Sequence, residues 1–200
     1  MVNHYYSREP EAQSDPIYWT ANLKGNGFRF KTDQGVFSKK EVDFGSRLLI
    51  ESYILPEAQG PILDVGCGYG PIGLSLAKSF PERAVHMVDV NLRAAGLAKE
   101  NAALNDIPNA VIYESDRYEA VEEKGFASIV TNPPIRAGKR IVHDILEQSR
   151  DYLVPGGTLW VVIQKKQGAP SAKAKMEEVF GEVETAAKSK GYFIFKAIKH

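Results

Sequence analysis

Three aspartates and one asparagine follow short apolar runs, where a β-strand would hand over to a loop. Asp64 ends Ile62-Leu63-Asp64 and opens Val65-Gly66-Cys67-Gly68-Tyr69-Gly70; Asp89 ends the run Ala84 to Val88; Asp116 comes after Val111-Ile112-Tyr113; and Asn132-Pro133-Pro134 comes after the run Phe126 to Val130. Alternating glycines at 66, 68 and 70 let a ligand approach the backbone, because a side chain there would block contact and several φ values are free to be positive. Pro71 suits the first turn of a helix, so the stretch reads as strand, tight loop and helix with a small molecule lying across the loop. An acid at the end of the next strand, about 25 residues after Asp64, suits the two hydroxyls of a ribose. The ligand is therefore expected to contain a nucleoside.

The loop is compatible with more than one nucleoside. Gly68-Tyr69-Gly70-Pro71-Ile72-Gly73 has the G-x-G-x-x-G spacing of a dinucleotide loop, but counting from Gly66, closer to the strand, puts Pro71 where the third glycine belongs. Asp64 would repel a pyrophosphate and attract a cationic amine or sulfonium. The spacing leaves open both a dinucleotide and S-adenosylmethionine, which carries both cations.

The elements that must position these residues alternate. Ile17, Trp19, Ala21 and Leu23 alternate with polar neighbours, Lys24-Gly25-Asn26-Gly27 supplies turn chemistry, and Phe28 and Phe30 resume the alternation, which predicts a hairpin after an irregular lead-in over Asn3 to Pro16. A helical pattern through Leu48, Leu49, Tyr53 and Ile54 ends before Pro56. Then come the strand before Asp64, the loop helix, the strand before Asp89, a helix Leu92 to Asn105 capped by Asn91, a strand at Val111, a short helix around Tyr118 to Glu123, and a strand Phe126 to Val130. A helix Lys139 to Tyr152, a Pro155-Gly156-Gly157 turn and a strand Thr158 to Ile163 follow. Strands apolar on both faces and separated by helices imply a parallel sheet covered on two sides. After a helix near Ala172 to Phe180, the strands Glu182 to Ala187 and Tyr192 to Ile198 are joined by Ser189-Lys190-Gly191, too short for a parallel crossover, so the last strand is expected to run antiparallel.

Composition narrows the function classes. The 200 residues are 44% hydrophobic and 25% charged with a formal net charge of zero, a globular profile in which any polyanion must meet a local basic patch. Cys67 is the only cysteine, which suits a reducing compartment and a filler role rather than a nucleophile, and the four histidines lack metal-ligand spacing. No apolar run approaches the roughly 20 residues of a membrane span, and the N-terminus lacks a signal core. A cytoplasmic chain with no metal and no membrane partner is expected, organised as one domain with a hairpin and helix extension over residues 1–58 and a core over 59–200.

Asp64 to Gly70 resembles the first motif of class I S-adenosylmethionine-dependent methyltransferases; Asp89 and Ser115-Asp116 fall where the second and third motifs lie, and Asn132-Pro133-Pro134-Ile135 resembles their N-P-P-aromatic motif. With Gly35-Val36-Phe37-Ser38, Asp43-Phe44-Gly45-Ser46 and Arg136-Ala137-Gly138-Lys139, the chain resembles the catalytic domain of small-subunit ribosomal RNA guanine-N2 methyltransferases from about residue 4 to the end. Larger relatives carry a second, degenerate domain ahead of this one. The resemblance implies a Rossmann-like fold with a mainly parallel seven-stranded sheet, S-adenosyl-L-methionine as cofactor, and ribosomal RNA or the small ribosomal subunit as partner. It implies a cofactor site of Asp64, Gly66, Cys67, Gly68, Gly70, Asp89, Val90, Asp116 and Asn132; catalysis by Asn132, Pro133 and Pro134; and substrate contacts from Phe37, Ile135, Arg136 and Lys139.

The chemistry that follows is amine alignment. An exocyclic purine amine is a poor nucleophile because its lone pair is delocalised into the ring. If the Asn132 side-chain oxygen and the Pro133 carbonyl each accept an N–H, the lone pair turns toward the methyl donor, and the prolines fix the backbone that presents them. Ile135 departs from the motif, since it lacks the ring that would stack on a base, and Phe37 is one ring that could replace it. Lys39, Lys40, Arg136, Lys139 and Arg140 would meet phosphate around an extruded base, while Lys165, Lys166 and the C-terminal lysines read as a solvated face. Adenine N6 or a protein amide are the alternative acceptors; a nicotinamide oxidoreductase and a non-catalytic RNA-binding assembly factor are the alternative classes.

Overall fold

The computed structural model describes residues 14–36, 38 and 40–200, so most of the expected lead-in, and also Phe37 and Lys39, lie outside the described residues. The chain opens with β1 (Ile17–Leu23) and β2 (Asn26–Thr32), an antiparallel pair closed by Lys24 and Gly25. Both turn residues have positive φ, 49° and 77°, the twist a two-residue hairpin requires. α1 (Phe44–Ser52) follows, then the repeating units β3 (Ile62–Val65), α2 (Pro71–Ser79), β4 (Val85–Asp89), α3 (Leu92–Leu104), β5 (Ala110–Glu114) and β6 (Phe126–Thr131). A 3₁₀ turn over Ile135–Ala137 leads to α4 (Lys139–Tyr152), β7 (Leu153–Gln164), a second 3₁₀ turn over Lys165–Gln167, α5 (Ala169–Phe180), β8 (Val183–Ser189) and β9 (Tyr192–Ile198).

The main sheet has seven strands in the order β5-β4-β3-β6-β7-β9-β8. Every pairing is parallel except those of β9, which runs antiparallel to both β7 and β8. Side chains sort by strand period: Ile62, Val85, Met87, Val130, Trp160, Val162 and Ile194 face the helices α1, α2 and α3, whereas Leu63, Val88, Ile129, Leu159, Val161 and Phe195 face α4 and α5. Two apolar cores therefore lie on opposite faces of one sheet. The strand order reverses between β4-β3 and β6, which opens a crevice at the carboxyl ends of β3 and β6.

The hairpin is fastened to this layer by two asparagines, Asn101 of α3 and Asn105 at its C-cap. Asn101 Oδ1 accepts from Lys31 N at 2.7 Å and its Nδ2 donates to Lys31 O at 3.0 Å; Asn105 makes the same pair of bonds to Arg29 N and O at 2.9 and 2.8 Å. Residues four apart on a helix rise about 6 Å and residues two apart on a strand about 6.7 Å, so the two spacings match and the open edge of β2 is closed. Asn101, fully buried, also donates to Tyr69 O at 2.9 Å and so ties the hairpin to the glycine loop.

Several expectations are corrected. No helix forms around 118–123; residues 117–120 are a turn, because Tyr118 is drawn inward to donate its hydroxyl to Ile145 O at 2.9 Å and to stack on Tyr152 with centroids 4.6 Å apart. Arg117 takes a left-handed φ of 53° and Ser115 Oγ accepts from Ala120 N at 3.0 Å, which leaves no helical start. β7 begins at Leu153 rather than Thr158, since the Pro155-Gly156-Gly157 stretch is a bulge held by Gly156 N donating to Lys199 O and Lys199 N to Gly157 O. Not every strand is apolar on both faces: β5 lies at the sheet edge and Val111 is 44% exposed.

Candidate functional site

At the crevice lies a cavity of about 460 Å³, within the range of small-molecule sites. One wall is backbone. Gly66 and Gly68 have φ of 77° and 58°, and a Cβ built on either would meet nothing within 4 Å, so these glycines border open space rather than packed protein. Asp89 Oδ2 accepts from Gly68 N and its Oδ1 from Asn91 N, both at 2.8 Å, which fixes the loop to the end of β4. Burial pushes the Asp89 carboxyl up, and the N–H donors of Asn91, Gly68 and Val90 oppose that shift. Each of its oxygens keeps a further lone pair for a hydroxyl in the cavity.

Asp64 and Gly70 stand behind this wall, not in it. Asp64 is fully buried; its Oδ2 accepts from Gly73 N at 2.8 Å, at the first turn of α2, while Oδ1 has no hydrogen-bond partner among the described residues. Burial raises its pKa to about 7, with Gly73 N–H opposing and the Asp89 charge reinforcing the rise. Gly70 is the cap of α2 at φ 103°, where a Cβ would stand 2.8 Å from Leu74 Cδ1. Its role is packing. Cys67 is buried in the loop, and burial beside Asp89 and Asp64 pushes its thiol up, away from the reactive thiolate.

The opposite wall is made of side chains distant in sequence. Asn132 follows β6, which pairs directly with β3, so it stands beside the glycine loop. Its Nδ2 donates to Ser46 Oγ at 3.0 Å and, more weakly, to Asp43 Oδ1 at 3.4 Å. Asp43 is the N-cap of α1, and the same Oδ1 accepts from Ser46 N at 3.0 Å. With its nitrogen held by the cap of α1, the amide has its oxygen left to accept. Pro133 is buried and Pro134 opens the 3₁₀ turn, accepting from Ala137 N at 2.9 Å.

Of the residues expected at the site, Gly66, Cys67, Gly68, Asp89, Val90, Asp116, Asn132, Pro133, Pro134, Ile135 and Arg136 all border the cavity. Asp116 does so with its carboxylate paired to Arg117 at 2.9 Å, and Arg117 reaches on to Asp144 at 2.9 Å. Lys139 is exposed outside the lining, as are Lys40 and Arg140. Phe37 lies outside the described residues, although Val36 beside it lines the cavity and Gly35 O accepts from Asn91 Nδ2 at 3.2 Å. Sequence reading assigned no role to Asp43, Ser46, Gln167 or Tyr192, all of which border the cavity. The D-x-x-S spacing of a helix cap was a signal for the first two; nothing local marked Tyr192. Among the described residues no helix is long and apolar enough to cross a membrane, and no group of three metal-ligating side chains occurs.

A seven-stranded sheet in this order, one antiparallel strand, and a glycine loop at the switch point define the Rossmann-like fold of class I S-adenosylmethionine-dependent methyltransferases. The chain belongs to the methyltransferase small domain family, whose profile matches residues 27–196. It is 58% identical over 200 residues to the Bacillus subtilis protein YbxB, named as uncharacterized, with both chains covered completely. It is 31% identical over 185 residues to ribosomal RNA small subunit methyltransferase C of Vibrio cholerae, covering 90% of this chain and 52% of that one. It superimposes with a TM-score of 0.82 and 29% identity on the T. thermophilus 16S rRNA N2 G1207 methyltransferase (RsmC) in complex with AdoMet and guanosine, covering 96% of this chain and 52% of that one. The chain thus spans about half the length of these two methyltransferases. It is a methyltransferase that uses S-adenosyl-L-methionine, and the nicotinamide alternative left open by the loop spacing falls away.

Proposed function

We propose that the chain transfers a methyl group from S-adenosylmethionine to the exocyclic N2 of a guanine in small-subunit ribosomal RNA, work done in the cytoplasm. The observation that carries this reading is the fixed amide of Asn132, its nitrogen on Ser46 and Asp43 and its oxygen left to accept beside the glycine loop. The solved relative named for 16S rRNA N2 G1207, with AdoMet and guanosine bound, supports it.

The residues present fit the cofactor. Gly66 and Gly68 leave room for it, Asp89 would take its ribose hydroxyls, and the orphaned Oδ1 of Asp64, buried behind the loop, would reach its ammonium through a water. When bound, it supplies an electrophilic methyl on a sulfonium. Asn132 Oδ1 and the Pro133 carbonyl then accept the two N2–H groups of guanine, which localises the N2 lone pair along the line of attack. With the donor bound, attack by N2 would form the carbon–nitrogen bond as the carbon–sulfur bond breaks, and the proton on the methylated nitrogen would pass to water. No strong base is required. The base is extruded to reach Asn132, and the exposed cations Lys40, Arg136, Lys139 and Arg140 hold the flanking phosphates.

Mass spectrometry of ribosomal RNA nucleosides from cells with and without the protein tests the reading. Loss of N2-methylguanosine from one small-subunit position is the expected result; an unchanged guanosine profile, or loss of N6-methyladenosine instead, would overturn it.

A further inference from the structure

Ile135 leaves the Asn132-Pro133-Pro134 motif without a ring, yet an aromatic side chain does border the acceptor end of the cavity. Tyr192 is the first residue of β9. Because β9 runs antiparallel to β7, its start pairs with Gln164 at the carboxyl end of β7, beside the carboxyl end of β6 that delivers Asn132. A parallel strand would have put its other end there. Tyr192 packs on the α1 face of the sheet, with Phe44 at a centroid distance of 5.6 Å and a tilt of 48°. A Cβ on Gly45 would stand 2.8 Å from Tyr192 Cε1, so the ring lies in a space that only glycine leaves open. The next residue, Ser46, holds the Asn132 amide. Adjacent residues of one helical turn thus seat both the ring and the amide.

Ile135 belongs to the other face, packed against the α4 core. The cavity opens between an aliphatic wall from one face of the sheet and an aromatic wall from the other, with Asn132 at their junction. The ring is also preplaced: Lys165 N donates to Gly191 O at 2.7 Å, which fixes the β8–β9 turn on the 3₁₀ segment after β7.

We propose that Tyr192 is the stacking platform for the acceptor base, which lies between Tyr192 and Ile135 with its amine on Asn132. This rests on the base-methylating reading above. Base–aromatic stacking corresponds to roughly 5- to 150-fold in affinity.

The test is calorimetric titration of guanosine, adenosine, cytidine and uridine into the full chain saturated with S-adenosylhomocysteine. Tyr192→Phe is expected to bind the preferred nucleoside within about twofold of the original chain, and Tyr192→Leu to lose roughly 5- to 150-fold with S-adenosylhomocysteine affinity unchanged. Adding Ile135→Phe to Tyr192→Leu should recover part of the loss, which a purely structural role for Tyr192 would not permit. Tyr192→Met, whose unbranched side chain adapts to an irregular space without supplying a ring, serves if the Leu variant fails to fold. Equal binding by the Leu or Met variant and the original chain overturns the platform and leaves the guanine reading intact. A preference for adenosine with the same variant pattern upholds the platform and overturns the guanine reading. Absence of nucleoside binding by the original chain overturns both.

Discussion

The two walls of the cavity are built by different means. The donor wall is backbone: Gly66 and Gly68 at the end of β3, pinned by Asp89 from the end of the neighbouring β4, all within one strand–helix–strand unit. The acceptor wall is side chains from α1, β6 and β9, brought together across 89 residues between Asp43 and Asn132 and farther still to Tyr192. A ligand held by backbone tolerates little variation in the loop, since any side chain at Gly66 or Gly68 would enter the ligand's space. A ligand held by side chains on three separate elements changes identity when one of them changes. Donor binding and acceptor choice are therefore separable in this fold.

That separation sets the expected order of mutational effects. Asn132→Ala should lower the rate of tritiated methyl transfer about 10²–10³-fold, the scale for removing one preorganised polar contact to a reacting group, while calorimetric affinity for S-adenosylhomocysteine stays within a few-fold. A parallel collapse of cofactor affinity would mean that the walls are not separable.

On the donor side the sensitive group is Asp64. Its folded pKa, raised to about 7, lies above its unfolded value, so the folded state holds the proton more tightly and this group's contribution to stability grows as pH falls from above 7 toward 4. Binding a cationic ammonium favours the ionised form. The affinity for S-adenosylhomocysteine is expected to weaken by up to about tenfold per pH unit below 7, while the stability of the empty protein relative to its Asp64→Asn variant rises, and the variant loses the affinity trend. Melting and titration series from pH 5.5 to 8 check the opposite signs.

Ser46→Ala should act more weakly and on the acceptor side alone. It leaves the cap residue Asp43 in place but frees the Asn132 amide to flip, so kcat should drop several-fold to tenfold with the cofactor KM unchanged. Ser46→Thr, which keeps the hydroxyl, should recover part of the rate.

The same contrast explains what could be read from the chain before its fold. The donor wall is local, so apolar runs ending in Asp64 and Asp89 around alternating glycines announced it, and the short Ser189-Lys190-Gly191 connection announced the antiparallel last strand. The turn at 117–120 was not legible, because it depends on Tyr118 reaching α4 and not on local helix preference. Asp64 looked like a ligand-facing acid, but buried beneath the loop it binds the first turn of α2 and keeps one oxygen in reserve. Tyr192 was invisible for a different reason: a tyrosine opening a hairpin strand is unremarkable until β9 is placed beside β7 and Gly45 beneath its ring.

The central claim is that the glycine loop holds the donor while the α1 cap presents the Asn132 oxygen to the acceptor amine. A crystal structure of the chain with S-adenosylhomocysteine and guanosine tests it most directly. The account predicts guanine N2 within about 2.7–3.2 Å of Asn132 Oδ1, with Nδ2 still donating to Ser46 Oγ and the donor sulfur over Gly66 to Gly68. An Asn132 amide turned to present its nitrogen, or a guanine whose N2 lies away from it, would contradict the claim.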